Sequence, residues 1–182
     1  MDAARLIRPS ALRPGDRVAV VTPSGPVDDE RLARGAGLLE ELGFRVSLPE
    51  PLEPWRIFAG RDDARRRQLL DAFADPDVRA VWCARGGYGI NRFLPEVDPG
   101  WLRRHAKLCI GFSDATALLQ LLVHGAGVAA LHGPMVAMDL FAQREAGTLD
   151  HLLAILGGAD AWRVPVPRAI VAECIGLALQ AP

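Results

Sequence analysis

An alternation constrains this chain more than any other feature. Short, almost unbroken apolar runs alternate with stretches in which apolar residues recur at helical spacing. "RVAVVTP" (17–23), "FRVSLP" (44–49), "VRAVWCA" (78–84), the run 107–112 and the run 127–132 read as five strands. A helix is expected over 30–42, capped by Asp28 or Asp29, with Leu32, Ala36, Leu39 and Leu42 on one face and Gly43 at its end. In "GRDDARRRQLLDAFADP", Leu69, Leu70 and Phe73 form an apolar face and Pro76 stops the helix. A short helix and "WLRRH" precede the fourth strand, a helix over 114–124 follows it, and "LDHLLAILGG" centres a last helical stretch. Strands alternating with helices imply right-handed crossovers, hence an α/β fold with a parallel sheet and helices on both faces.

Composition narrows the class. The chain has 182 residues, half of them hydrophobic, which is long for one domain and short for two. A formal charge of −1 gives no electrostatic reason to expect a nucleic acid or an anionic membrane as partner. Lys107 is the only lysine among 21 basic residues, which reads as coding bias. Cys83, Cys109 and Cys174 are too few and too scattered for a disulfide framework or a zinc site. "MDAARLIRPSALRPGDR" lacks a signal-peptide core, and no segment approaches the roughly 20 apolar residues of a membrane span. A soluble, reducing, cytoplasmic setting is the expectation.

In a parallel sheet, ligand sites collect where the strands end at their carboxyl edge. Four unusual loops fall there: "TPSGP", "RGGYG", "GFSD" and "HGPM". Ser113, between strand and helix in G-x-S-x-A, has three readings: a helix cap, a nucleophile raised on a tight turn, or part of a phosphate cradle. "RGGYG" supplies closely approaching backbone N–H groups if it serves as an oxyanion loop, and is a flexible turn if it does not. It matches neither phosphate-binding glycine pattern. The N–H of Asp114 would add a second donor at a helix start. His132, ending the fifth strand, is the one local candidate for a base; a structural histidine is the plainer reading. Arg85 and Tyr88 line the expected cleft, where they either hold a carboxylate or serve generic surface roles. Nucleotide binding is disfavoured, because the second strand ends in Leu-Pro without a ribose-binding acid.

From about Leu12 to about Val136 the chain resembles the N-terminal domain of the L,D-carboxypeptidases of serine peptidase family S66. The resemblance rests on "LRPGDRVAVVTPSGPV", "FAGRDDARRRQLLDAFADPDVRAVWCARGGYG", "KLCIGFSDATALL" and "LHGPM" in that order. It implies a Rossmann- or flavodoxin-like N-terminal domain, Ser113 as nucleophile, and oxyanion donors in the backbone of Asp114 and of Gly86 or Gly87. It implies no metal or other cofactor, and a murein peptide losing its terminal D-alanine as substrate. The microcin-immunity branch of the family implies a peptidyl or acyl-nucleotide amide as substrate instead, and a catalytically inactive fragment or peptide-binding module that keeps the ligand platform is the other alternative.

The resemblance also implies a Glu and a His from a second, C-terminal domain, and neither Glu173 nor His132 matches them. Residues 1–165 are expected to be the nucleophile domain and 166–182 a truncated or divergent tail. The expected partner is then that missing domain or a second copy of the chain. An apolar patch near the fifth strand and the tail is a further expectation.

Overall fold

The computed structural model describes residues 6–138 and 148–158. Five parallel strands, β1 (Arg17–Val21), β2 (Arg45–Ser47), β3 (Val78–Cys83), β4 (Leu108–Gly111) and β5 (Leu131–His132), lie in the order β2-β1-β3-β4-β5. This doubly wound order reverses direction between β1 and β3, the kind of switch point beside which parallel sheets bind ligands at the carboxyl ends of their strands.

The apolar runs are unbroken because the sheet is covered on both faces. Alternate residues go to opposite sides. Val18, Val20, Ala80, Trp82 and Ile110 pack with Leu38, Leu39 and Leu152. Ala19, Val21, Val81, Cys83 and Cys109 pack with Leu69, Phe73, Phe93 and Leu118. The first layer is carried by α1 (Asp29–Glu41) and a helix over Thr148–Leu156 that we number α6. The second is carried by α2 (Asp62–Ala74), α3 (Ile90–Phe93), α4 (Pro99–Arg104) and α5 (Thr116–Gln120). Full burial of a Leu or Phe side chain contributes about 1.5–3 kcal/mol, so these two layers supply the main driving force for folding.

Asp28, not Asp29, caps α1: its carboxylate accepts the Arg31 N–H at 2.9 Å. Two expectations need correction. The helix expected over 114–124 is composite: a 3-10 turn at Ser113–Ala115, then α5, then a π-helical turn at Leu121–Ala126. The fifth strand is confined to Leu131–His132. Gly127, at φ +66°, closes the π turn, and Val128 bridges to Ile7 instead of extending the strand. The Ile7 N–H donates to Gly127 O at 2.8 Å and the Ala129 N–H to Ile7 O at 2.8 Å, so the amino-terminal segment takes up hydrogen bonds that a longer β5 would have used.

Leu131 in β5 is half-buried, and the expected apolar patch involves tail residues that lie outside the described ones. The exposed large apolar side chains among the described residues are Leu6, Leu48, Ile57 and Tyr88. The tail over 166–182 lies outside the described residues.

Candidate active site

Chain geometry after β4 turns sharply within two residues. Phe112 is extended (φ −152°, ψ −172°), and Ser113 then adopts φ +58°, a left-handed conformation that costs a non-glycine residue roughly 1–2 kcal/mol. The 3-10 turn starts at Ser113, with Phe112 in the capping position and no side-chain cap, so the cap reading of Ser113 fails. The side chain stands exposed at the end of the sheet instead. Gly111 permits the turn: a Cβ there would lie 2.9 Å from the Ala115 Cβ and 3.2 Å from the Cys83 Cβ and Sγ. The small residue in G-x-S-x-A is therefore needed where the helix folds back over the strand.

The "RGGYG" loop lies against this turn. Gly86 is buried, and a Cβ on it would sit 2.9 Å from the Ser113 Cβ and 3.0 Å from Oγ. Only a glycine lets the loop backbone approach the hydroxyl this closely. The Gly86 carbonyl accepts the Gly25 N–H at 3.1 Å, tying the loop to "TPSGP". Because the peptide is planar and trans, the Gly87 N–H of the same unit points away from Gly25.

All four expected loops meet at this edge. The Asp114 carboxylate accepts the Ile90 N–H at 3.0 Å, pinning the start of α3 beside Ser113, a role that no local sequence signal marks. The Gly133 N–H donates to Gly111 O at 3.1 Å, and the Val136 and Ala137 N–H groups donate to Cys83 O and Ala84 O at 3.2 and 2.8 Å. Trp82 Nε1 donates to Pro134 O at 2.7 Å from beneath.

Arg85 is exposed and turned toward the first loop, where Nη1 donates to Pro26 O at 3.0 Å. Tyr88 is 59% exposed. His132 stands exposed at the same edge, its ring 6.2 Å from that of Phe112 and tilted by 58°. Among the described residues no hydrogen bond joins His132 to Ser113, and Glu173 lies outside them. The edge thus brings together Ser113, Asp114, Gly86 and Gly87, and among the described residues no base is hydrogen-bonded to the hydroxyl.

Sequence reasoning missed Arg65. Its side chain is fully buried. It bonds to Asp62 and to Pro23 O, and Nε donates to Gly60 O at 2.9 Å. Its guanidinium lies 5.0 and 5.1 Å from the rings of Phe58 and Phe93. A Cβ on Gly89 (φ +131°) would be 2.7 Å from Nη1. One cation therefore braces "TPSGP", the turn before α2 and "RGGYG" together. In the sequence it is one of three consecutive arginines, and only its helical phase with Leu69 and Phe73 distinguishes it.

Electrostatics at this brace follow from the contacts. Burial pushes the Arg65 guanidinium down while Asp62 opposes the shift. The Arg92 hydrogen bond, with Arg65 alongside, holds Asp62 below the usual carboxylate value. Behind the Ser113 turn, the hydrogen bond with Cys83 and complete burial raise the Cys109 thiol well above its ordinary value. Among the described residues no group of three or more His, Cys, Asp or Glu is placed to hold a metal, and no helix is long and apolar enough to cross a membrane.

The model of the LD-carboxypeptidase N-terminal domain of peptidase family S66 matches residues 18–133. A Streptomyces coelicolor relative that carries a carboxypeptidase name is 42% identical over 164 residues, covering 87% of this chain and 53% of its own. The murein tetrapeptide carboxypeptidase of Pseudomonas aeruginosa is 38% identical over 121 residues, covering 65% of this chain and 39% of its own. The structure of the muramoyltetrapeptide carboxypeptidase of Oxalobacter formigenes superposes with a TM-score of 0.70 at 33% identity, over 76% of this chain and 47% of that one. An MccF-like protein of Bacillus anthracis gives 0.72 at 30% identity, over 82% and 47%. The chain spans about half the length of the curated relatives it matches.

Proposed function

Because the chain belongs to the LD-carboxypeptidase family, matched in its N-terminal domain, we propose that it carries the nucleophile of a serine-type, metal-independent L,D-carboxypeptidase acting on murein tetrapeptides. The observation that carries the reading is the left-handed Ser113, exposed at the end of β4 with Gly86 packed against its hydroxyl. A serine that needs only a cap has no use for this strain; one presented to a substrate does.

In this reading Ser113 Oγ attacks the carbonyl carbon of the terminal peptide bond and gives its proton to a base. The N–H groups of Asp114 and of Gly86 or Gly87 receive the developing oxyanion. The tetrahedral species collapses, the C–N bond breaks, and the base returns the proton to the leaving amine of D-alanine. Water then hydrolyses the ester, restoring Ser113 and releasing the shortened peptide as its carboxylate. The Glu and His that activate the serine come from residues other than those described, from the second domain of the family or another copy of the chain. Without a base, oxyanion stabilisation and binding leave roughly 10³–10⁴-fold acceleration over water.

An activated-serine probe tests the assignment. Peptide mapping should find weak labelling of Ser113 in this chain and strong labelling once a Glu- and His-bearing domain is joined to it, with none in Ser113→Ala. No labelling in either form would end the nucleophile reading. Likeness to the MccF-like protein favours a second reading, the cleavage of a peptidyl or acyl-nucleotide amide that the microcin-immunity branch of the family implies. Release of nucleotide but no D-alanine by the joined protein would select it.

A further inference from the structure

Beside the candidate site is a turn that the proposed chemistry does not use. Trp55 and Phe58 exchange backbone hydrogen bonds of 3.2 and 3.0 Å and close a tight turn with Arg56 and Ile57 at its tip. Arg56 is held at φ +56°, and Ile57 is 65% exposed. Both are unfavourable for a turn that merely connects, since a non-glycine left-handed residue costs roughly 1–3 kcal/mol.

Phe58 fixes the turn to the candidate oxyanion loop. It is buried, and a Cβ on Gly89 would be 2.7 Å from its ring. Gly89 is three residues from Gly86, which touches Ser113, so at most about 11 Å of chain separates the two glycines.

The turn gathers positive charge on an aromatic plane. The guanidinium groups of Arg56, Arg61 and Arg92 lie 4.9, 5.6 and 5.6 Å from the centre of the Trp55 ring. Arg92 is engaged by Asp62 at 2.9 Å. Arg56 and Arg61 are exposed and make no ion pair among the described residues. Next to the indole is a cavity of about 290 Å³ lined by Trp55, Arg61, Asp62, Asp63, Arg66 and Glu96. Asp62 is neutralised by Arg65 and Arg92, and Glu96 by Arg66, which leaves Asp63 as the opposing charge on that wall.

We propose that the Trp55–Phe58 turn is a subsite that reads a carboxylate on the amino-terminal side of the scissile bond. It rests on the reading of Ser113 as nucleophile. A peptide losing its last residue at Ser113 has three residues left, which span about 10 Å when extended, comparable with the reach of the loop from Gly86, beside Ser113, to Gly89, beside Phe58. Arg56 and Arg61 supply the N–H donors, and the face of Trp55 packs against the peptide backbone.

The test uses Ser113→Ala in the 182-residue chain, so that binding is measured without turnover. Two synthetic murein tetrapeptides are compared by titration calorimetry, one with a free glutamyl carboxylate and one with that group as an amide. The free acid should bind about 10-fold more tightly, and Arg56→Ala/Arg61→Ala, at unchanged Tm, should abolish the preference. Trp55→Ala should weaken both peptides. Equal affinities, a preference that survives the double substitution, or no binding of either peptide would overturn the subsite. Absence of probe labelling at Ser113 alongside an intact preference would overturn the nucleophile reading alone.

Discussion

Replacing Arg65 with Met removes the cation while keeping an unbranched chain of similar length. In the wild-type protein the guanidinium is inaccessible to water and satisfies Pro23 O, Gly60 O and part of the Asp62 carboxylate. Its loss leaves two carbonyls without their donor, at about 1–3 kcal/mol for each buried acceptor. Asp62 keeps Arg92, at 2.9–3.0 Å, so the full cost of about 3–5 kcal/mol for breaking a buried pair is not reached on that side. Removing the desolvation of a buried charge offsets part of the remainder. A net loss of about 3 kcal/mol is expected, against a typical total of about 5–15 kcal/mol. In a chain of this size that lowers Tm by roughly 6–12 °C.

Urea unfolding followed by far-UV circular dichroism measures the loss, with the slope checked for change. Arg65→Lys should fall between wild type and Met, since a single ammonium cannot span all three acceptors. Hydrogen exchange supplies the local signature: amides of Gly86–Ile90 should lose protection before those of β1 and β3. A Met variant within 1 kcal/mol of wild type at unchanged slope would refute the idea that Arg65 braces the loops.

Other expectations follow from the same edge. Ser113→Gly should raise stability by about 1 kcal/mol by relieving the left-handed strain, while Ser113→Ala should not; thermal melts of the two variants separate strain from chemistry. Gly86→Ala should push the Ser113 side chain aside, because its Cβ would fall 2.9 Å from the Ser113 Cβ; probe labelling should drop at least tenfold with the overall fold intact by circular dichroism. Asp62 is held below its usual value, chiefly by the Arg92 hydrogen bond, so the unfolded chain takes up this proton at a higher pH than the native one. Its stabilisation is complete above about pH 4 and lost as pH falls through the lower native value. Asp62→Asn should flatten the acid limb of stability measured from pH 5 to pH 2. Cys83 and Cys109 should resist iodoacetamide in the native state and react on unfolding, read by mass spectrometry of their tryptic peptides.

The sequence by itself determined the layers and the edge. Unbroken apolar runs such as "RVAVV" meant strands covered on both sides, and the intervening helices dictated parallel pairing. That topology placed "TPSGP", "RGGYG", "GFSD" and "HGPM" at one end, because every strand of a parallel sheet ends on the same side. The motifs around Ser113 were legible because glycine and a small residue are required wherever the backbone turns sharply or another segment comes close.

What only the tertiary structure decided involves partners distant in the chain. Asp114 caps α3 across 24 positions, and Arg65 reaches back 42 to Pro23. Helical phase puts Arg65 on the buried face with Leu69 and Phe73, but no local pattern names a partner so far away in the chain, for Arg65 or for Asp114. The conformation of Ser113 was likewise decided by packing: Ala115 and Cys83 crowd Gly111 while Gly86 presses from the side, and the strained turn persists because its surroundings leave no other fit. The short β5 arose in the same way, from Ile7 taking the hydrogen bonds beside Val128.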